Sequence, residues 1–181
     1  MLNDTVDAVA VRIKRTSRVA AAALGVTVIA VPVLIALFAY SGLISHIPEL
    51  GQFGISANRI TPAARLVIFV TMLGTAAPLM WGGWELRRLF LGYAAGEVFT
   101  EIAAARFGRF AAALILTGLA GPLRLLTLSA GLSWLDVIPH ALIIAVSSND
   151  IMLFLAGCML RIVASVLRGA ASLAEENALF F

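Results

Sequence analysis

Long apolar runs alternate with shorter charged segments along this chain of 181 residues. A transmembrane helix needs about 20 consecutive apolar residues, because each residue advances the helix by about 1.5 Å. Four runs meet that length, and they cover residues 19–43, 63–84, 110–132 and 151–167. The pattern therefore predicts an all-α integral membrane fold, a bundle of four transmembrane helices in a single membrane domain.

An amphipathic segment precedes the first run. In residues 1–18 the apolar positions Val6, Val9 and Ile13 recur at helical spacing, which predicts an N-terminal helix leading into the first span. The run that follows is longer than the roughly 7–15 apolar residues of a signal peptide, so we interpret it as an uncleaved anchor. Pro32 lies inside this run and can kink it.

The connection between the second and third runs, residues 85–109, is the most charged part of the chain. Its apolar positions share one helical face, which predicts a helix that extends from the second span or lies at the membrane surface. Gly92 and Gly96 are expected to end that helix. Thr100 is then in position to cap the helix that follows.

The connection between the third and fourth runs, residues 133–149, contains a β-branched segment at residues 143–146. β-Branched residues favour extended structure, so one short β-strand or hairpin is an open alternative here. Asn149 or Asp150 is expected to cap the fourth helix, because both residue types favour that position.

Small residues are dense in the first and third runs, for example at Gly25, Gly118 and Gly121. Small side chains let two transmembrane helices approach closely. We expect these positions to make contacts within the bundle rather than between subunits.

Composition agrees with a membrane location. The chain is 61% hydrophobic and 13% charged, whereas soluble domains are roughly 45–50% apolar and about 25% charged. A soluble protein of this size could not bury so much apolar surface. A soluble enzyme, a disordered chain and a disulfide-rich secreted scaffold are therefore excluded, and the single cysteine, Cys158, agrees with the last exclusion.

The basic residues predict the orientation in the membrane. Most of the 13 lysines and arginines lie in residues 1–18, in the 85–109 loop or at Arg161 and Arg168. Basic residues concentrate on the cytoplasmic side of membrane proteins. We therefore predict that the N-terminus, the 85–109 loop and the C-terminal tail (168–181) are cytoplasmic.

Arg124 interrupts the third run. A charge at the bilayer centre costs about 2.5–3.5 kcal/mol on insertion scales and is a functional hypothesis by default. Counted from Phe110, Arg124 lies about 21 Å into a core of about 30 Å, which leaves about 9 Å to the outer surface. Snorkelling, or a salt bridge with Asp136 or Asp150, is favoured over a ligand or anion site.

Two histidines provide the remaining candidate chemistry. His46 and Glu49 are spaced as His-x-x-Glu in the first outer loop, and His140 lies in the second. A zinc site needs three or four converging ligands, so these residues would have to meet a further carboxylate such as Asp136. No glycine-rich phosphate loop, zinc-protease motif or serine-hydrolase motif occurs in the sequence. We expect no catalytic residue, no metal and no cofactor.

Two stretches carry a family resemblance. The first runs from Leu86 to Thr100 with the core Gly96-Glu97-Val98-Phe99-Thr100, and the second joins Val166-Leu167-Arg168-Gly169 to Leu173-Ala174-Glu175-Glu176-Asn177. With four spans at this spacing, the chain resembles the bacterial domain-of-unknown-function 2975 family over residues 65–181. The resemblance implies an inner-membrane protein without an established activity. Some members are encoded beside small helix-turn-helix regulators, which implies a regulator as partner.

The leading functional hypothesis is a non-enzymatic membrane protein that presents its charged cytoplasmic loop and tail to a partner, of which a transcriptional regulator is one candidate. The candidate partner surface consists of Arg87, Arg88, Gly96, Glu97, Phe99, Thr100, Glu175, Glu176 and Asn177.

Two alternatives stay open. The first is an oligomeric small-solute channel or transporter with Arg124 facing the pathway. The less favoured is a membrane hydrolase at the outer face, which needs His46, Glu49 and His140 to converge. The chain is expected to contact the lipid bilayer and, in the transport alternative, further copies of itself in a homo-oligomer. Direct nucleic-acid binding is not expected, because the basic residues follow membrane topology.

Overall fold

The computed structural model describes residues 2–41, 60–97, 100–138 and 142–178, with side chains between residues 11 and 173 of those ranges. Most of these residues belong to four α-helices, α1 (Leu2–Tyr40), α2 (Pro62–Ala95), α3 (Glu101–Trp134) and α4 (Ser148–Ala178). Each helix is long and apolar enough to cross a membrane, so the chain is a multi-pass membrane protein. The all-α prediction is confirmed. The described residues include no β-strand, and residues 142–147 lie outside any helix.

Helices adjacent in the chain pack against each other in antiparallel pairs. α1 contacts α2, α2 contacts α3 and α3 contacts α4, and within the described ranges no other two helices come into close backbone contact. Gly82 in the second half of α2 packs on Ala113 in the first half of α3, and Gly131 near the end of α3 packs on Val67 in the first half of α2. α1 therefore flanks α2, and α4 flanks α3.

α1 is one continuous helix of 39 residues. The predicted N-terminal helix and the predicted first span are therefore parts of the same helix, which continues through Pro32 and ends at Tyr40. Arg65 at the start of α2 donates a hydrogen bond from Nη1 to the carbonyl oxygen of Tyr40, at 2.9 Å. This bond satisfies one of the carbonyl groups that the end of a helix leaves free.

The connection from α2 to α3 is built by local caps. Gly96 adopts a left-handed φ of 99°, and the backbone N–H groups of Gly96 and Glu97 donate to carbonyls of the last turn of α2 at 3.1 and 3.0 Å. The hydroxyl of Thr100 accepts a hydrogen bond from the backbone N–H of Ala103 at 3.1 Å. The predicted stop at Gly96 and the predicted cap at Thr100 are confirmed, whereas Gly92 lies inside α2.

α3 ends in the same arrangement of hydrogen bonds that ends α2 at Gly96, but without a glycine. Asp136 has a φ of 53°, and its N–H donates to the carbonyl of Ser133 at 3.1 Å while that of Val137 donates to Leu132 at 3.0 Å. This is a Schellman motif, in which the left-handed position normally holds glycine. Aspartate tolerates that conformation better than most residues, so α3 can end here.

α4 begins with a reciprocal cap. The hydroxyl of Ser147 accepts from the N–H of Asp150 at 3.2 Å, and Oδ2 of Asp150 accepts from the N–H of Ser147 at 3.0 Å. The N-cap is therefore Ser147, and the predicted cap at Asn149 or Asp150 is wrong in position. The Asp150 carboxyl group also lies against Gly121 of α3, where a side chain would leave it no room. The pairing with Ser147 thus fits both capping and packing.

Glycines set the close approach of α3 and α4. A side chain at Gly118 would meet the backbone of Asp150 at 2.7 Å and of Phe154 at 2.8 Å, and one at Gly157 would meet the backbone of Ile115 at 2.8 Å. These distances are shorter than van der Waals contact, and the atoms concerned belong to the backbone, which cannot move as a side chain can. A larger residue at Gly118 or Gly157 would therefore push the two helices apart. The predicted role of Gly118 and Gly121 in contacts within the bundle is confirmed.

The two ends of the molecule differ in chemistry. At the end where α2 begins and α1 and α3 end, called the apolar end below, Ala64, Ile68, Leu128, Leu132, Val137 and Ile138 form a buried hydrophobic cluster. The opposite end, where α2 and α4 end and α3 begins, carries most of the described arginines and is called the charged end.

Exposed tryptophans lie toward both ends of the paired helices α2 and α3. Trp81 and Trp84 lie toward the end of α2, and Trp134 is the last residue of α3. Because Gly131 packs on Val67, Trp134 is level with the first turn of α2, about 30 Å from Trp84 at about 1.5 Å per residue. This separation matches the hydrocarbon core of about 30 Å, and tryptophan favours its boundaries.

Candidate functional site

A buried glutamate lies at the centre of the charged end. Glu85 falls on the same helical stripe of α2 as Gly82 and Leu89, and all three residues are buried. Only 3% of Glu85 is exposed. A carboxylate is rarely buried to this degree unless a cation is beside it.

Two arginines from different helices provide that charge. Arg88 of α2 places Nη1 3.3 Å from Oε1 of Glu85, and Arg109 of α3 places Nη1 3.3 Å from Oε2. The two arginine side chains remain 51% and 46% exposed. Oε2 of Glu85 accepts no hydrogen bond from the described residues, so its contact with Arg109 is an ion pair. One carboxylate thus holds two cations, and the cluster keeps a net positive charge.

Two further arginines are tied to backbone carbonyls nearby. Arg106 donates from Nη1 to the carbonyl of Arg88 at 2.9 Å. Arg161 of α4 donates from Nη1 to the carbonyl of Gly108 at 3.0 Å. Arg88, Arg106, Arg109 and Arg161 together are called the basic surface. The surface joins α2, α3 and α4, and each of its guanidinium groups has a fixed partner.

Arg87 is next to this surface but points elsewhere. Its guanidinium carbon lies 4.9 Å from the centre of the Trp84 ring, a cation–π contact. Its Nε lies 3.0 Å from where a side chain at Gly25 of α1 would begin. Arg87 therefore lies between Trp84 and α1, whereas Arg88, whose guanidinium carbon is 5.8 Å from the same ring, pairs with Glu85.

The structure places the predicted partner-surface residues in different settings. Gly96 and Thr100 act as helix caps, and Glu97 is exposed beside them. Arg88 belongs to the basic surface, and Phe99 lies outside the described residues. Three others lie near the end of α4, whose backbone alone is described there: Glu175, Glu176 and Asn177.

Sequence reasoning missed Glu85 and the arginines of α3 and α4. One signal was present, because Glu85 shares a stripe with Gly82 and Leu89 and precedes Arg88 by three positions. Such a glutamate on an otherwise buried stripe indicates an ion pair inside a helix contact. The pairing with Arg109 could not be found this way, since it depends on how α2 and α3 are aligned.

Arg124 lies between α2 and α3, away from the basic surface. It lines a groove of about 310 Å³ together with Thr71 and Thr75 of α2 and Thr127 of α3. Along α3 it is about 15 Å from Trp134 at about 1.5 Å per residue. Arg124 is therefore deeper than the count from Phe110 indicated, because α3 continues to Trp134.

The candidate outer-face chemistry stays a prediction. His46, Glu49 and His140 lie outside the described residues. Within the described ranges no three histidine, cysteine, aspartate or glutamate side chains come together as a metal site. Ser129, a serine near the predicted outer face, is fully buried, donates to the carbonyl of Leu126 at 3.0 Å and accepts from the N–H of Ile143 at 3.1 Å. Its hydroxyl holds the connection before α4.

The arrangement at the charged end suits binding of an anion. Guanidinium groups recognise carboxylates and phosphates through paired hydrogen bonds, and four of them are presented here at fixed positions. The chain matches no protein-family model, no curated protein and no solved structure. The resemblance to the domain-of-unknown-function 2975 family stays a prediction.

Proposed function

We propose that this chain is a non-enzymatic membrane protein that presents its basic surface to an acidic partner protein. The observation that carries the proposal is the anchoring of Arg88 and Arg109 to the buried carboxylate of Glu85. Arginines from two helices are thereby held together, while about half of each side chain remains open to a partner.

Anchoring favours recognition for an energetic reason. A free arginine loses rotamer freedom when a partner orders it, at a cost of about 0.5–1.5 kcal/mol for each side chain. Glu85 and the carbonyls of Arg88 and Gly108 have already ordered these side chains. A partner with carboxylates at matching positions therefore gains charge-assisted hydrogen bonds at a lower entropic cost.

Orientation and partner complete the proposal. The concentration of basic residues supports a cytoplasmic location for the charged end. The family resemblance supports a bacterial inner membrane and a transcriptional regulator as the partner class. Gly96 and Glu97 are exposed at the same end, and Glu97 extends the surface with a negative charge. A partner would have to match both signs, which gives specificity.

Co-purification from native membranes tests the proposal. The Arg88→Gln/Arg109→Gln variant removes two anchored charges, and the Lys14→Gln/Arg15→Gln variant removes two exposed charges from α1 as a matched control. We expect one acidic protein to purify with the wild type and the control, and to fall about tenfold with the Arg88/Arg109 variant. High salt should release it as well. The same co-purifying proteins at the same level in both variants would contradict the proposal.

A second candidate function rests on the groove at Arg124. The groove presents three threonines and an arginine within the membrane-spanning part of the helices, and it is open to one side. In an oligomer, such a groove from each copy could line a pathway between subunits. Liposomes that contain the protein test this reading with a panel of small anions and neutral solutes. Transport requires a flux that Arg124→Leu abolishes and that Leu119→Ala, on the same helix, leaves intact.

A further inference from the structure

An apolar cleft of about 290 Å³ lies beside α2 near the charged end. α1 forms one wall from Leu24 to Val31, α2 forms the floor from Ala76 to Leu86, and Phe110 of α3 borders the far side. Thr27 has the only hydroxyl among the lining residues, and it donates to the carbonyl of Ala23 in its own helix at 2.9 Å. The lining therefore offers a polar solute little to bind.

The cleft has the length of one half of a bilayer. The stretch from Ala76 to Leu86 corresponds to about 15 Å at about 1.5 Å per residue. The hydrocarbon core is about 30 Å thick, so one leaflet contributes about 15 Å. Trp84, which favours the membrane surface, lies at the level where the cleft reaches the charged end. The cleft thus runs from the membrane surface to the bilayer centre.

Arg87 lies at the mouth of the cleft. It follows Leu86 directly and is one turn beyond Gly83, another lining residue. Its side chain is held between the ring of Trp84, at 4.9 Å, and Gly25 of α1. Among the described side chains, no carboxylate lies within ion-pairing distance of Arg87, in contrast to Arg88 and Arg109.

We infer that the cleft and Arg87 form a binding site for one anionic phospholipid. One acyl chain occupies the apolar cleft, and the headgroup phosphate pairs with the Arg87 guanidinium. Charge complementarity selects this occupant, because a neutral chain would leave Arg87 unpaired and a soluble anion would leave the cleft unfilled. Gly25 borders the site, because a side chain there would begin 3.0 Å from Nε of Arg87 and would shift that side chain slightly.

Native mass spectrometry of the full-length protein in detergent tests the site. The probes are phosphatidylglycerol and phosphatidylcholine with identical acyl chains, together with glycerol 3-phosphate as a headgroup without a chain. Ala76→Phe fills the cleft from α2, and Thr27→Leu fills it from α1 if the first variant fails to fold. Arg87→Gln removes the charge, and Arg87→Lys keeps it. Arg168→Gln is the charge-matched control, because Arg168 lies on α4 near Gly108 of α3 and away from the cleft.

The inference predicts one tightly held phosphatidylglycerol with a preference over phosphatidylcholine. Arg87→Gln should lower the affinity for phosphatidylglycerol about fivefold, Arg87→Lys should restore most of it, and filling the cleft should lower binding of both lipids. Arg168→Gln should change nothing.

Three results would overturn the inference. The first is equal retention of phosphatidylglycerol in Arg87→Gln and wild type, and the second is an equal loss in Arg168→Gln, which would show a diffuse charge effect. The third is binding of glycerol 3-phosphate alone at the affinity of the lipid. A dimer that Ala76→Phe converts to monomer would place a second copy in the cleft and would overturn the inference as well.

Discussion

The two ends of this molecule satisfy their buried polar groups in opposite ways. At the apolar end the hydroxyl of Ser129 pairs with backbone groups of Leu126 and Ile143, on the helix that contributes Leu128 and Leu132 to the buried aliphatic cluster. At the charged end the carboxylate of Glu85 pairs with arginines of two helices that remain half exposed. The first arrangement closes a structure, and the second leaves donors available to a partner.

This difference predicts that stability and recognition separate along the membrane normal. Substitutions at the apolar end should weaken the fold and leave partner binding intact in the molecules that stay folded. Substitutions at the charged end should weaken binding more than they weaken the fold. The predictions below test that separation, in decreasing order of their expected effect on stability.

The largest effect is expected from Leu132→Ala at the apolar end. Leu132 is 0% exposed, and removing a buried leucine side chain typically costs 2–5 kcal/mol, so we expect a loss of about 3 kcal/mol. Leu119→Ala on the same helix, where the side chain is 53% exposed, is the control and should cost far less in detergent. Unfolding titrations in mixed micelles measure both, and equal losses would refute the assignment of the core.

Glu85→Gln is expected to have the next largest effect. The substitution keeps the shape of the side chain but removes the charge that holds Arg88 and Arg109. Breaking a fully buried ion pair costs about 3–5 kcal/mol, and the exposure of both arginines to solvent reduces this to about 2 kcal/mol. The same unfolding titration applies. Glu101→Gln, an exposed carboxylate in the first turn of α3, is the control, and a loss as large in this control would contradict the role of Glu85.

Ser129→Ala should have a smaller effect. It leaves the N–H of Ile143 without its hydrogen-bond partner, and we expect a loss of about 1 kcal/mol. The amide of Ile143 should exchange its hydrogen faster in the variant than in wild type. Ser165→Ala is the matched control, because its exposed hydroxyl bonds only to the carbonyl of Ile162 in its own helix. Unchanged exchange at Ile143 would show that Ser129 does not hold this connection.

The smallest effects concern the two Schellman motifs, one at each end. Asp136→Gly should stabilise the fold by about 0.5 kcal/mol, because glycine adopts a positive φ more readily than aspartate. Gly96→Ala should destabilise it by about 1 kcal/mol for the converse reason. Melting temperatures measured in the same detergent should therefore move in opposite directions. Movement in the same direction would be inconsistent with the left-handed conformation at one of the two positions.

The sequence was sufficient to predict most of the fold because membrane helices are determined by local length and polarity. The four runs predicted the four helices, and the chemistry of Gly96 and Thr100 predicted the turn between α2 and α3. The first residue of α4 was harder to predict, since Ser147, Asn149 and Asp150 are all residue types that favour the N-cap position. The choice of Ser147 agrees with the packing of Asp150 on Gly121, a contact between two helices.

The candidate site was less predictable because it depends on helix alignment. Arg88 was identified from the charged loop alone. The pairing of Glu85 with Arg109 and the contact of Arg161 with Gly108 form only when α2, α3 and α4 are side by side, and no spacing within one helix encodes that arrangement. The same holds for Arg87, which the sequence groups with Arg88 although Arg87 lies against α1 and Arg88 pairs with Glu85.

The most direct test of the account compares Glu85→Gln with Leu132→Ala in one quantitative co-purification from native membranes. The amount of acidic partner protein is measured for each amount of folded membrane protein. The account predicts that Leu132→Ala, although less stable, retains the partner at the wild-type ratio, whereas Glu85→Gln loses most of it. Retention of the partner by Glu85→Gln at the wild-type ratio would contradict the account.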